Sequence, residues 1–136
     1  MVRDHPAHDP NAPRTRVAIG FGSPAEDSGV ARLDLNDILI RHAQATFLLR
    51  VSGSAMREAG IDDGDLVLVD RAITALHDHV VIAVVDDGFV CRRLIKLARE
   101  VRLRAADAAV ADIVPSGDDG LHVWGVVTHA IKSLPI

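Results

Sequence analysis

At 136 residues the chain is the size of one domain with room for a sizeable core, and its 49% hydrophobic and 25% charged residues place it among globular rather than disordered proteins. A formal net charge of −4 argues against direct DNA binding, which calls for Lys and Arg gathered on one face. The single cysteine, Cys91, forms no internal disulfide and fits a reducing, cytoplasmic setting.

No window approaches the ~18 uninterrupted apolar residues of a membrane span, and MVRDHPAHDPNAPRTR lacks the apolar stretch of a signal peptide. Neither membrane insertion nor export is expected. Aromatic residues are scarce at 3%, so the core must be filled by Val, Leu, Ile and Ala, a composition that favours strands.

Residues 1–16 hold three of the six prolines and almost nothing to bury. VAIGFGSPAEDSG, Val17 to Gly29, reads as an extended connector. Together residues 1–29 are expected to form a flexible N-terminal arm, with the folded domain spanning residues 30–136. The segment DLNDILIRHAQA, Asp34 to Ala45, predicts a short helix capped by Asp34, with Leu35, Ile38, Leu39 and His42 along one side. TFLLRV, Thr46 to Val51, and LVLVD, Leu66 to Asp70, are strand candidates separated by the acidic turn GIDDGD.

The clearest local signal follows. HVVIAVV and FVCRRLIKL flank Asp86, Asp87 and Gly88 as a hairpin should. EVRLRA alternates apolar and charged residues like a half-exposed strand, VPSGDDG is a turn, and LHVWGVVTHAIKSL supplies a long terminal strand bent at Gly125. Short strands joined by Gly- and Asp-rich turns, with one short helix, make the chain mainly β.

Several residues invite chemical readings that the context weakens. His77, Asp78 and His79 lie between two strands without a third ligand at metal spacing, so they read as a solvated turn and no metal or other cofactor is expected. Cys91 precedes two arginines, yet strand alternation makes it a buried, inert thiol. Trp124 in VWGVV reads as core packing. The turn Asp62, Asp63, Gly64, Asp65 lacks the ligand series of a calcium loop and reads as structural.

The runs RLDLNDILIRHAQATFLLRVSGSAM, GIDDGDLVLVDRAITALHDHVVIAVVDDGFVCRRL and VWGVVTHAIK, in that order from about Phe21 to Ile131, resemble the UmuD-like proteins of the LexA-type self-cleaving serine peptidase family. The resemblance implies a LexA/UmuD-type peptidase fold of several coiled β-sheets and a homodimer. It also implies a serine–lysine dyad that cleaves the protein's own N-terminal arm. RecA filaments on single-stranded DNA provoke that cleavage in the family, and the trimmed dimer joins an error-prone translesion polymerase in the SOS response to DNA damage. His129 and Lys132 would fall near the dimer seam on this geometry.

A serine nucleophile needs a base to take its proton, and a lysine serves only when burial drives its pKa down. Backbone N–H groups must then hold the developing oxyanion. The family pattern Ser-Gly-Asp-Ser-Met is matched here by Ser52, Gly53, Ser54, Ala55 and Met56, so the nucleophile position is Ala55. Ser54 and Met56 flank it in the turn where the oxyanion donors are implied. The general-base position holds Arg92, whose guanidinium does not give up its proton. At the implied cleavage site a small residue before glycine is replaced by Ile19, preceding Gly20.

Two readings follow. In the first, the chain is a non-cleaving, UmuD-like accessory protein of SOS mutagenesis and DNA repair, a pseudoprotease that keeps its arm. In the second, it is an active self-processing peptidase whose nucleophile has been substituted or whose neighbouring Ser54 or Ser52 takes over, although neither serine has an identifiable base in the sequence. A LexA-like repressor is disfavoured, because the residues ahead of Asp34 are too few and too proline-rich for a helix-turn-helix unit.

Overall fold

The computed structural model describes residues 33–115 and 121–136. The arm expected over residues 1–29, the Ile19–Gly20 bond and residues 116–120 of the VPSGDDG turn lie outside the described residues. The chain divides into two units between Ala43 and Gln44.

In the first unit the Asp34 side chain accepts the Asn36 N–H at 3.0 Å, as its capping role predicts, and opens helix α1, Leu35–Leu39. The helix is shorter than the predicted span. Ile40 is already extended at φ −108°, ψ 118°, and only a single 3-10 turn, Ala43–Ala45, follows before the first strand. No α1 residue is buried, so nothing beyond local propensity prolongs the helix, and a β-branched residue ends it readily.

The second unit is built from six strands: β1 (Thr46–Arg50), β2 (Leu66–Asp70), β3 (Val80–Val85), β4 (Gly88–Leu97), β5 (Glu100–Arg104) and β6 (His122–Ile131). All pairings are antiparallel, in one hydrogen-bonded ladder of order β1-β2-β6-β3-β4-β5. Register shifts interrupt the ladder at Leu68/Val69 and Ile82/Ala83, where bulges add local twist. The mainly β character with one short helix is thus the observed fold.

The β3–β4 hairpin forms where predicted, but glycine is not its turn residue. Asp86 and Asp87 both take positive φ, 50° and 63°, while Gly88 pairs with Val85 as the first residue of β4. Positive φ at both central positions is the geometry that matches strand twist, and Asp tolerates it better than most side chains.

Residues of β3 alternate between two packed faces. Ile82 joins Met56, Ile61, Val67 and Val69 in one cluster, whereas Val81 and Ala83 join Leu94, Leu103 and Val126 in the other. A strand buried on both sides reads as a continuous apolar run, which is what VVIAVV is. Trp124 packs against the first cluster but is only half-buried. Its ring lies 5.3 Å from Phe47 and 5.0 Å from Phe89, with the Arg71 guanidinium 4.5 Å above it. No helix among the described residues is long and apolar enough to cross a membrane.

The irregularity in β6 falls beside Gly125, as the sequence predicts: Ile82 pairs with Gly125 and Ala83 with Val123, leaving Trp124 as the extra residue. Crowding explains the glycine. A Cβ there would lie 2.5 Å from Val69 Cγ1 and 3.3 Å from the Arg71 side chain. Gly125→Ala is therefore expected to destabilise the fold by about 1–3 kcal/mol through overpacking, measured as a lowered urea midpoint with an unchanged slope.

Candidate functional site

The loop Ser52–Met56 leaves the end of β1 and is fastened from three sides. Below it, the side chain of Met56 is 1% exposed and anchors the loop in the first core cluster. Its carbonyl accepts N–H groups of Ala59 and Ile61 at 3.0 and 3.2 Å as the chain turns through the 3-10 segment Arg57–Ala59.

On the second side lies the acidic turn. Gly53, at φ 92°, donates its N–H to the Asp63 carboxylate at 2.8 Å. The Val51 N–H reaches the Asp65 carbonyl, and its carbonyl takes the Gly64 N–H, both at 2.8 Å. The Asp65 carboxylate accepts the Asp62 N–H at 2.8 Å. Lys132, just beyond β6, closes the arrangement by donating to Asp62 and Asp65 at 2.7 and 2.6 Å. The turn is structural, as its sequence suggests, and Lys132 is committed to it within the chain.

On the third side is a segment the sequence does not flag. Ala106 donates its N–H to the Ala55 carbonyl at 2.6 Å and accepts that of Glu58 at 2.7 Å. The neighbouring Asp107 is buried. Its carboxyl is held below the usual carboxylate range, first by the Ala109 N–H at 2.9 Å, then by the Ser54 hydroxyl, with the Arg57 guanidinium at 3.6 Å adding and burial opposing. Ser54 therefore has an acidic partner that the sequence does not reveal, because the pair is separated by most of the sheet. Hydrogen bonds to the charged form favour that form and disfavour uptake of a proton.

Ser52, Gly53, Ser54, Ala55 and Met56 line one side of a cleft of about 280 Å³, and Phe89, Val90, Cys91 and Arg92 of β4 line the other, with Val51 and Val110 completing it. The structure thus brings Ala55 and Arg92 to one cavity, together with Ser54 and Met56. Alternation alone would turn Ser54 away from the face that Ala55 occupies; the left-handed Gly53 breaks that rule and both residues border the cleft. Phe89 and Val110 are wall residues that the sequence does not single out.

The chemistry available follows from these groups. Ala55 offers no nucleophilic atom. Arg92 donates through Nη1 to the Cys91 carbonyl at 2.8 Å, and a guanidinium offers donors only, with no acceptor for a proton. Burial pushes the Cys91 thiol up to about 11 against the opposing pull of Arg92, so the thiol is protonated and inert, as its strand position suggests. The HDH stretch is a turn. His79 Nδ1 accepts the Leu76 N–H and His77 Nδ1 the Lys96 N–H, each at 3.1 Å.

The Lys132 clasp has a pH signature. Asp65 is held below its usual range mainly by Lys132, and Lys132 is raised by Asp62 and then Asp65. A lowered carboxyl contributes stability above its unfolded value near 3.9 that is lost as pH falls through the folded value. A raised ammonium contributes stability below about 10.4 that is lost as pH rises through its folded value. Lys132→Met should flatten both limbs of the stability–pH curve while changing mid-range stability less than a core truncation would, measured by urea unfolding across the pH range.

Residues 13–128 match the family described as Peptidase S24-like. The chain is 35% identical over 121 residues to Protein MucA of Salmonella typhimurium, covering 89% of this chain and 83% of that protein. It is 39% identical over 117 residues to Protein ImpA of Escherichia coli, covering 85% and 79%. To the LexA repressor of Alteromonas mediterranea it is 34% identical over 119 residues, covering 87% of this chain and 57% of the repressor. With a mainly β fold and these similarities over most of its length, the chain belongs to the Peptidase S24-like family as a UmuD-like, LexA-type member.

Proposed function

We propose that this chain is an accessory and regulatory protein of the SOS response to DNA damage that acts in translesion mutagenesis without cleaving itself. The observation that carries this reading is the pairing in one cleft of Ala55 at the nucleophile position with Arg92 at the general-base position. The loop, its supporting turn and the facing strand form the cavity that attack on a peptide bond would need. Its two reacting positions hold a methyl group and a permanent cation.

On this reading the arm stays attached at Ile19–Gly20, and residues 1–29 remain part of the working protein. The protein works in the cytoplasm as a homodimer, with an error-prone polymerase subunit and the RecA filament on single-stranded DNA as partners. It touches DNA through them. The alternative, an active self-cleaving peptidase, is either a form whose nucleophile has been substituted at Ala55 or one that uses Ser54 or Ser52, and the hydroxyl of Ser54 is engaged by the Asp107 carboxylate.

The test is self-cleavage of the purified full-length chain at mildly alkaline pH, followed by mass spectrometry. The unaltered chain should yield no fragment beginning at Gly20. Ala55→Ser alone should remain slow, and adding Arg92→Lys should raise its rate by about 10²-fold or more, the usual contribution of a positioned base. Ile19→Ala on that background should raise it further. A Gly20 fragment from the unaltered chain that disappears in Ser54→Ala would instead establish the alternative.

A further inference from the structure

Arg92 is an incompletely satisfied cation. Of its guanidinium donors, Nη1 reaches the Cys91 carbonyl, while Nε is buried with no hydrogen-bond partner among the described residues. A buried donor left unpaired is costly, and a bound water or ion is one way such a group is satisfied. Among the described residues, no acidic side chain lines the cleft that Arg92 borders. Two carboxylates that fasten the facing loop are committed elsewhere: Asp107 to Ala109, Ser54 and Arg57, and Asp63 to Gly53.

The opposite wall supplies complementary donors. The carbonyls of Ala55 and Met56 are occupied, by Ala106 and by Ala59 and Ile61, but their own N–H groups donate to no described residue. The Cys91 thiol is protonated and adds no negative charge.

From this geometry we infer that the cleft is a carboxylate-binding site, in which Arg92 grips the anion through its planar fork and the Ala55–Met56 backbone completes the cradle. The replacement at the general-base position thus converts a place for proton transfer into one for anion recognition. A planar guanidinium engages a carboxylate through two parallel hydrogen bonds, which an ammonium in the same place does not reproduce. The inference rests on the cleft and not on the partners proposed above. It fails by loss of binding, whereas the non-cleaving reading fails by the appearance of a Gly20 fragment.

The experiment uses the full-length, ¹⁵N-labelled chain at constant chloride concentration and follows the Arg92 Nε–H signal and the Ala55 and Met56 amides by NMR. Three probes are titrated: N-acetyl-alanyl-alanine with a free terminal carboxylate, N-acetyl-aspartyl-alanine amide with only a side-chain carboxylate, and the uncharged N-acetyl-alanyl-alanine amide. At least one carboxylate probe should shift all three signals saturably, and which of the two does so identifies a chain terminus or an acidic side chain as the source. The uncharged amide should bind at least about tenfold more weakly, as loss of a charge-assisted pair requires. Arg92→Gln should abolish the response and Arg92→Lys should weaken it by about tenfold. Equal shifts from charged and uncharged probes, no saturable shift from either carboxylate, or unaltered binding by Arg92→Gln would overturn the inference. The probe comparison on the unaltered chain decides the matter even if a variant fails to fold.

Discussion

The hydrogen bond from the Gly53 N–H to the Asp63 carboxylate joins the loop that faces the cleft to the turn that leads into β2. Around it the chain is doubly stitched, since Val51 exchanges hydrogen bonds with Asp65 and Gly64 on the same turn. Because the Gly53 backbone is left-handed, the loop can fold back toward that carboxylate while keeping Met56 in the core. The site therefore inherits its rigidity from a turn whose acidic residues look, in isolation, like a surface decoration.

The facing wall has a comparable origin. Phe89 borders the cleft and also stacks on Trp124, which in turn receives Phe47 and the Arg71 guanidinium. Arg71 is itself tied by its Nε to the Trp124 carbonyl at 2.8 Å. Residues from β1, β4 and β6 are thereby held in one aromatic group, although Phe47 and Phe89 are 43% and 53% exposed. Offset and tilted aromatic pairs add stabilisation beyond their buried area, and a cation over the indole adds more.

What was legible in the sequence was local. The hairpin of β3 and β4, the alternation in β5 and the irregularity beside Gly125 each depend on residues a few positions apart. The Asp34 cap was legible for the same reason, but the length of its helix was not, because periodicity without burial does not sustain a helix past Ile40. The strand order was illegible, since β6 pairs with β2 and β3 across long separations. Asp107 was hidden in the plain run AADAA, where nothing marks it as the acceptor for Ser54. The aspartates of GIDDGD were recognised as structural, yet their attachments to Gly53 and Lys132 belong to tertiary structure alone.

Among the described strands, β6, the last in chain order, is a central one. Until β6 emerges during synthesis, β1–β2 and β3–β4–β5 are two separate pieces of sheet, each with an unsatisfied edge where β6 belongs. Joining the two pieces must therefore wait for β6, and long-range pairing of this kind is slow and leaves edges open to wrong partners. A chain shortened by a late stop codon would lose its middle rather than its margin, and would present the cell with two fragments of sheet instead of a slightly smaller protein.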